Sequence, residues 1–140
     1  MSDNRTEGRI LTAAGLTGAT AVILGAYSAH GLENLLASTG LDPETLARRL
    51  SQFETGVRYH LIHALVLLGL AALPFGSSKT KQNASRLILA GCFLFSGSLY
   101  LLVFLNLPVL GAITPLGGLS WILGWIWIAR LGKATLKTHQ

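Results

Sequence analysis

The sequence predicts an all-α fold, a four-helix transmembrane bundle with a short amphipathic interfacial helix in the first loop. Two features of composition point to a membrane: 51% of the 140 residues are hydrophobic and only 12% are charged. A soluble domain carries about 25% charged residues. The charges are also segregated, leaving four long apolar segments. These segments cover residues 10–30, 53–73, 87–105 and 110–131 of one integral membrane domain.

Each apolar segment is close to the ~20 residues that an α-helix needs to cross the hydrocarbon core of a bilayer. Helices are expected because a spanning backbone must satisfy its own hydrogen bonds in lipid. The first segment exceeds the ~7–15 apolar residues of a signal peptide, and Asp3 and Glu7 dilute its positive start. It is therefore interpreted as the first span.

The longest connection, residues 31–52, contains a helix start. Asp42 suits the N-cap and Pro43 the first helical position. Leu46, Leu50 and Phe53 follow at helical spacing, with Arg48 and Arg49 between them. This pattern predicts a short amphipathic helix on the membrane surface that runs into the second span.

Basic residues predict the orientation. Eight of the 11 Lys and Arg fall at the N-terminus, the middle loop and the C-terminus. They are Arg5, Arg9, Lys79, Lys81, Arg86, Arg130, Lys133 and Lys137. The other three, Arg48, Arg49 and Arg58, lie in or near the first loop. The positive-inside rule then predicts that both termini face the cytoplasm, or the matrix in an organelle.

Several function classes lack support. The single Cys92 excludes an internal disulfide and a multi-cysteine metal site. The net charge of +5 is explained by topology and anionic lipids, so nucleic acid is not expected as a partner. Because no nucleotide-binding loop or hydrolase motif is present, we expect no catalytic residue, cofactor or metal ion, and no enzyme.

Polar residues concentrate in the half of the spans that the topology assigns to the outer leaflet. A charged or polar side chain at membrane depth is costly and therefore a candidate for function. This candidate polar cluster consists of His30, Glu54, Arg58, Tyr59, His60, His63, Ser96, Ser98, Tyr100, Asn106 and Thr114.

Two sets within the cluster have alternative interpretations. Glu54 and Arg58 share a helix face four residues apart, so they form either an ion pair that seats the helix or a site for an anion or lipid headgroup. The histidines at positions 30, 60 and 63 either form hydrogen bonds between helices or ligate haem or a metal, although their spacing is unspecific.

Small residues mark predicted helix contacts. Gly18 and Gly25 lie on a smooth stripe of the first helix, and Gly117 and Gly124 on the fourth. Such stripes let helices approach closely in lipid. Three tryptophans of the fourth helix, at positions 121, 125 and 127, are expected at the cytoplasmic interface.

Four motifs resemble the YgdD-like family, catalogued as domain of unknown function 423. They are GAYSAHGL at 25–32, FETGVRY at 53–59 with HAL at 63–65, FSGSLY at 95–100, and GAITPLGG at 111–118. Tyr27 and Ser28 stand where an aromatic residue and glycine are expected. The resemblance implies a four-helix bacterial inner-membrane protein with mitochondrial relatives, and it implies no reaction.

The leading hypothesis is a non-enzymatic accessory subunit or a lipid- or ligand-binding bundle. Its expected partners are membrane lipids, and either a larger membrane complex or further copies of the chain. A small oligomeric transporter or channel is the first alternative, and it needs a polar path across the bilayer. A histidine-ligated haem or metal protein is the second, and an absorbance spectrum distinguishes it.

Overall fold

The computed structural model describes residues 2–137 of the chain and the side chains of residues 4–133. This part contains four helices that are long and apolar enough to cross a membrane. We call them the first to fourth spans: Asn4–Ala37, Pro43–Ala72, Ser78–Leu105 and Pro108–Lys133. No strand occurs in residues 2–137. The predicted all-α, four-helix fold is confirmed.

The spans are built from several helical elements. The α-helices are α1 Ser2–Tyr27, α2 Glu33–Ala37, α3 Pro43–Ala72, α4 Ser78–Gly91, α5 Ser98–Leu105 and α6 Thr114–Lys137. A π-helical segment, Ser28–Leu32, joins α1 to α2, and another, Cys92–Gly97, joins α4 to α5. A 3-10 turn at Pro108–Ala112 leads into α6.

Short connections between antiparallel spans define two ends of the bundle. The Gly40 end holds residues 38–42 and 106–113, and the Pro74 end holds residues 4–9 and 73–77. At the Gly40 end, the Thr45 N–H donates to Asp42 Oδ1 at 2.9 Å, as the sequence predicts for an N-cap. This hydrogen bond lowers the pKa of Asp42 because it favours the carboxylate.

Within residues 2–137 the structure shows no short interfacial helix, but the helix predicted to start after Asp42 does run into the second span. Residues 43–53 are the first turns of α3, which continues without a break to Ala72. Leu46 and Leu50 pack with the fully buried Phe53 against a core at the Gly40 end. The amphipathic pattern therefore reflects packing within the bundle, because its apolar face is covered by protein.

Two apolar cores fill the bundle. The core at the Gly40 end contains Leu32, Leu36, Phe53, Tyr100, Leu102 and Val103. The core toward the Pro74 end contains Ile10, Ala14, Leu67, Leu70, Ala84, Ile88, Cys92, Trp121 and Leu131. Both cores draw residues from three or more elements, so each one ties the spans together.

Glycines lie where the spans approach most closely. A Cβ atom built on Gly117 would clash with the backbone of Phe95, and one on Gly124 would lie 2.9 Å from Ile88 Cδ1. On the first span, the equivalent distances are 3.2 Å from Gly25 to Val57 Cγ1 and 3.8 Å from Gly18 to Ala64 Cβ. The contact between the third and fourth spans is thus the tighter of the two.

Candidate functional site

The structure divides the candidate polar cluster into several separate groups. Hydrogen bonds join His60 to Tyr100 and Ser98 to Thr114, while Asn106 bonds to a residue outside the predicted set. His30 is exposed. Within the described part of the chain, these groups lie at different helix contacts instead of lining a single pocket.

Glu54 and Arg58 line a crevice between the first and second spans at the Gly40 end. The crevice has a volume of about 260 Å³. Its remaining lining residues are small or apolar, apart from one hydroxyl, and they are Gly25, Ser28, Ala29 and Val57. The missing side chain of Gly25 and the small Ala29 leave room beside the two charged groups.

No ion pair joins Glu54 to Arg58, although the two residues are four apart on α3. Among residues 4–133, the ion pair within 4.0 Å is that between Lys81 and Glu7. Both Glu54 and Arg58 are exposed at the surface of the bundle. The interpretation of these residues as an ion pair that seats the helix is therefore wrong, and both charges face the crevice unpaired.

A second cavity, a groove of about 280 Å³, separates the first span from the third. His60 and Tyr100 line it, and His60 Nδ1 lies 3.2 Å from the Tyr100 hydroxyl. Tyr100 also covers Gly56, where a Cβ atom would lie 2.8 Å from its ring. The missing side chain of Gly56 thus allows Tyr100 to reach His60.

His63 lies in an aromatic stack. Its ring is parallel to the Trp121 indole, with 3.8 Å between centroids and 3° between planes. Nδ1 lies 2.8 Å from the Tyr59 carbonyl oxygen, so this nitrogen carries the proton and donates it. In the neutral imidazole, Nε2 is then the unprotonated acceptor, and it is buried without a hydrogen-bond partner.

This stack changes the interpretation of Trp121. The indole is 5% exposed, and its Nε1 donates to the Ile88 carbonyl oxygen at 3.0 Å. The expectation that it anchors the membrane interface is wrong, because it packs in the interior. Trp127 differs, since its ring lies 4.7 Å below the Arg130 guanidinium.

The remaining polar residues connect the third and fourth spans. Ser98 Oγ lies 2.9 Å from Thr114 Oγ1 and also donates to the Phe95 carbonyl oxygen. Ser96 is fully buried, and its Oγ forms no hydrogen bond of standard geometry, although it interacts with the Tyr100 side chain. Residues 4–133 hold no group of three His, Cys, Asp or Glu side chains suited to a metal ion.

Arg49 is a buried cation that does not belong to the predicted polar cluster. It is 5% exposed, and its guanidinium donates to Gln52 Oε1 at 3.1 Å and to Asn106 Oδ1 at 2.9 Å. Helical periodicity was the available signal, since Arg49 shares a face with Phe53, Gly56 and His60. The bond to Asn106 ties the start of α3 to the connection between the third and fourth spans.

Both π-helical segments fall on polar motifs. Ser28–Leu32 forms the last five residues of the GAYSAHGL motif. Cys92–Gly97 includes the first three residues of FSGSLY. A π-helical turn inserts an extra residue and re-aims the side chains that follow it, and such turns are frequent at functional sites. In this chain they position Ser28 at the crevice and Gly97 and Tyr100 at the groove.

The four long apolar helices define a small polytopic membrane protein. The family model described as "Protein of unknown function (DUF423)" matches residues 24–118. This chain belongs to that family. The match includes all the motifs that suggested the resemblance.

Several similar proteins support the same family assignment. The UPF0382 membrane protein YwdK of Bacillus subtilis (strain 168) is 46% identical over 110 residues, covering 77% of this chain and 82% of its own. A UPF0382 membrane protein of Haemophilus influenzae is 36% identical, covering 88% and 92%. The UPF0382 inner membrane protein YgdD of Escherichia coli (strain K12) is 33% identical, covering 91% of each. No solved structure matches.

Proposed function

We propose that this protein is a non-enzymatic, lipid-binding membrane bundle whose crevice holds the headgroup of an amine-bearing phospholipid. The observation that carries the proposal is that Glu54 and Arg58 line one crevice without pairing with each other. Unpaired charges of opposite sign at membrane depth need partners. A zwitterionic headgroup supplies both of them.

The order of the two charges along α3 matches such a headgroup. Glu54 precedes Arg58 by four residues, so it lies about 6 Å nearer the Gly40 end of the bundle. In a bilayer, the phosphate of a phospholipid lies deeper than the amine attached to it. Arg58 therefore binds the phosphate, and Glu54 binds the ammonium group above it.

The crevice also offers a hydroxyl. Ser28 lines it from the first π-helical segment and supplies a further donor to a phosphate oxygen. A guanidinium and a hydroxyl are suited to an anion, whereas a lone carboxylate is suited to a cation. A purely anionic headgroup would leave Glu54 without a partner and would be repelled by it.

A binding role without catalysis is consistent with the remaining polar groups. His60, His63, Ser98 and Thr114 engage other side chains or the backbone. We propose that the bound lipid helps this bundle to act as an accessory subunit, beside a larger membrane protein or further copies of itself. We also propose the bacterial inner membrane, with both termini in the cytoplasm, which places the crevice in the outer leaflet.

The test is to purify the protein in mild detergent, extract its lipids and measure them per protein by mass spectrometry. Arg58→Gln should lower bound phospholipid of every class by about tenfold, because it removes a charge-assisted hydrogen bond. Glu54→Gln should lower phosphatidylethanolamine and spare phosphatidylglycerol. Arg48→Gln is the matched control, because Arg48 is exposed on the same helix and outside the crevice.

A double variant, Glu54→Gln with Arg58→Gln, separates folding from binding. We expect it to remain folded, since both side chains are exposed. If this variant retained the wild-type amount and composition of bound lipid, the headgroup site would be wrong. Equal losses from Arg48→Gln and Arg58→Gln would also contradict it, since they would indicate a general effect of surface charge.

A further inference from the structure

The groove between the first and third spans has one polar end and one apolar end. Tyr100 and His60 lie toward the Gly40 end, and Leu16 and Leu89 lie toward the middle of the bundle. The third span contributes residues from Leu89 to Tyr100, so the groove extends for about 16 Å along that helix. This shape suits a head with an attached hydrocarbon chain.

The groove lies inside the bilayer. Counted from Phe53, the start of the predicted second apolar segment, His60 is about 10 Å into the hydrocarbon region. An occupant must therefore come from the lipid phase. Of the described residues, none that lines the groove carries a formal charge. A charged headgroup or an ionised fatty acid would consequently lack a counter-ion there.

The polar end offers a hydrogen-bond donor in either arrangement of its protons. If the Tyr100 hydroxyl donates to His60 Nδ1, then the imidazole carries its proton on Nε2 and can donate it. If Nδ1 donates instead, the Tyr100 hydroxyl keeps its own proton and can donate it to an occupant in competition with the nearby Ser96 Oγ. The Thr20 hydroxyl adds no donor, because it is bonded to the Leu16 carbonyl oxygen at 2.8 Å. An occupant therefore meets His60 and Tyr100 best with a carbonyl oxygen.

We infer that this groove binds a neutral lipophilic compound with a ring carbonyl and a hydrocarbon chain, of the alkyl- or isoprenyl-quinone class. The carbonyl accepts a hydrogen bond from the His60–Tyr100 pair, and the chain lies along Leu16, Leu89 and Phe93. Ester carbonyls of glycerolipids remain near the interface, whereas a neutral quinone ring enters the hydrocarbon. This site is separate from the proposed headgroup crevice and does not depend on it.

The experiment measures binding of decyl-substituted benzoquinone to the purified protein in detergent, by quenching of tryptophan fluorescence. Decylbenzene is the matched probe because it lacks carbonyl groups. Its binding is measured by its competition with the quinone. We expect saturable binding of the quinone and competition by decylbenzene that is weaker by about tenfold, the loss of one hydrogen bond. His60→Leu should weaken quinone binding by a similar factor.

Exposed positions on the first span provide variants that keep the core intact. Thr20→Phe places a ring in the groove and should abolish saturable quenching. Ala19→Phe, the control, adds the same ring to an exposed neighbour that does not line the groove, and binding should be unchanged. The inference is overturned if quenching is not saturable, if decylbenzene competes as well as the quinone, or if Thr20→Phe binds like the wild type.

Discussion

Lys81 Nζ lies 2.7 Å from Glu7 Oε1, and this ion pair closes the Pro74 end of the bundle. The same ammonium donates to the Leu73 carbonyl oxygen at 2.6 Å. The two partners differ in burial, because the Lys81 side chain is 4% exposed and that of Glu7 is 34% exposed. One buried cation thus joins the start of the first span to both sides of the middle loop.

This difference in burial predicts an unequal effect of removing each partner. Glu7→Ala should cost about 2–3 kcal/mol of unfolding free energy, because it leaves a buried ammonium without a counter-ion. Lys81→Met should cost about 1 kcal/mol, since Glu7 can reach water and only the bond to Leu73 is lost. Thermal unfolding in detergent measures both changes.

The double variant Glu7→Ala with Lys81→Met should be about as stable as Lys81→Met alone, because no charge remains buried. Lys79→Met is the control, since Lys79 is exposed two residues away. Additive losses in the double variant would show that the two residues act independently of each other.

Hydropathy predicted the four spans because a lipid-facing charge is expensive and apolar segments are consequently long. Hydropathy did not distinguish the cations that stabilise the bundle from those that set its orientation in the membrane. Lys81 was counted only for orientation, and Arg49 only for orientation and for the polar face of the predicted amphipathic helix, yet both are buried. Their helical spacing to apolar neighbours contained this information, since Lys81 shares a face with the buried Ala84 and Ile88.

The crevice could not be predicted from α3 alone. Spacing of four residues shows that Glu54 and Arg58 can meet, but not whether they do so. Whether the two side chains pair depends on the space beside Gly25 and Ala29 of the first span. This space is a tertiary feature that the sequence of α3 does not contain. The π-helical segments were equally hidden, because an extra residue per turn leaves no periodic signal in five or six residues.

Asn106 offers a test in which stability should increase. Its backbone is left-handed, with φ 49° and ψ 43°, and its side chain accepts a hydrogen bond from Arg49. Within residues 4–133, Arg49 has no carboxylate at ion-pair distance. Asn106→Asp supplies one, tolerates the same backbone and should raise the unfolding temperature.

Asn106→Gly is the matched variant, because glycine adopts the left-handed backbone but provides no acceptor. It should cost about 1.5–3 kcal/mol, the contribution of a hydrogen bond to a charged group. If Asn106→Asp instead made the protein less stable than the wild type, that result would contradict the buried position of the Arg49 guanidinium.

Two adjacent glycines of the fourth span provide a paired test of helix packing. Gly117→Ala should destabilise the protein by about 1–3 kcal/mol, because the added methyl group clashes with the Phe95 backbone. Gly118→Ala meets nothing within 4 Å and should be neutral or slightly stabilising, as alanine favours helix. Equal unfolding temperatures for the two variants would mean that the third and fourth spans do not approach as described.

The orientation can be tested with cysteines at opposite ends of the bundle. Ser38 and Lys79 are both exposed, at the Gly40 end and the Pro74 end respectively, while the native Cys92 is buried and leaves little background. In intact cells, Ser38→Cys should react with an impermeant thiol reagent added from outside. Lys79→Cys should react only after the membrane is opened, because positively charged loops remain in the cytoplasm.

The reverse pattern would move Glu54 and Arg58 to the cytoplasmic leaflet, where phosphatidylethanolamine is also available. The proposed orientation would then be wrong. The lipid measurement would still test whether Arg58 binds the phosphate and Glu54 binds the amine.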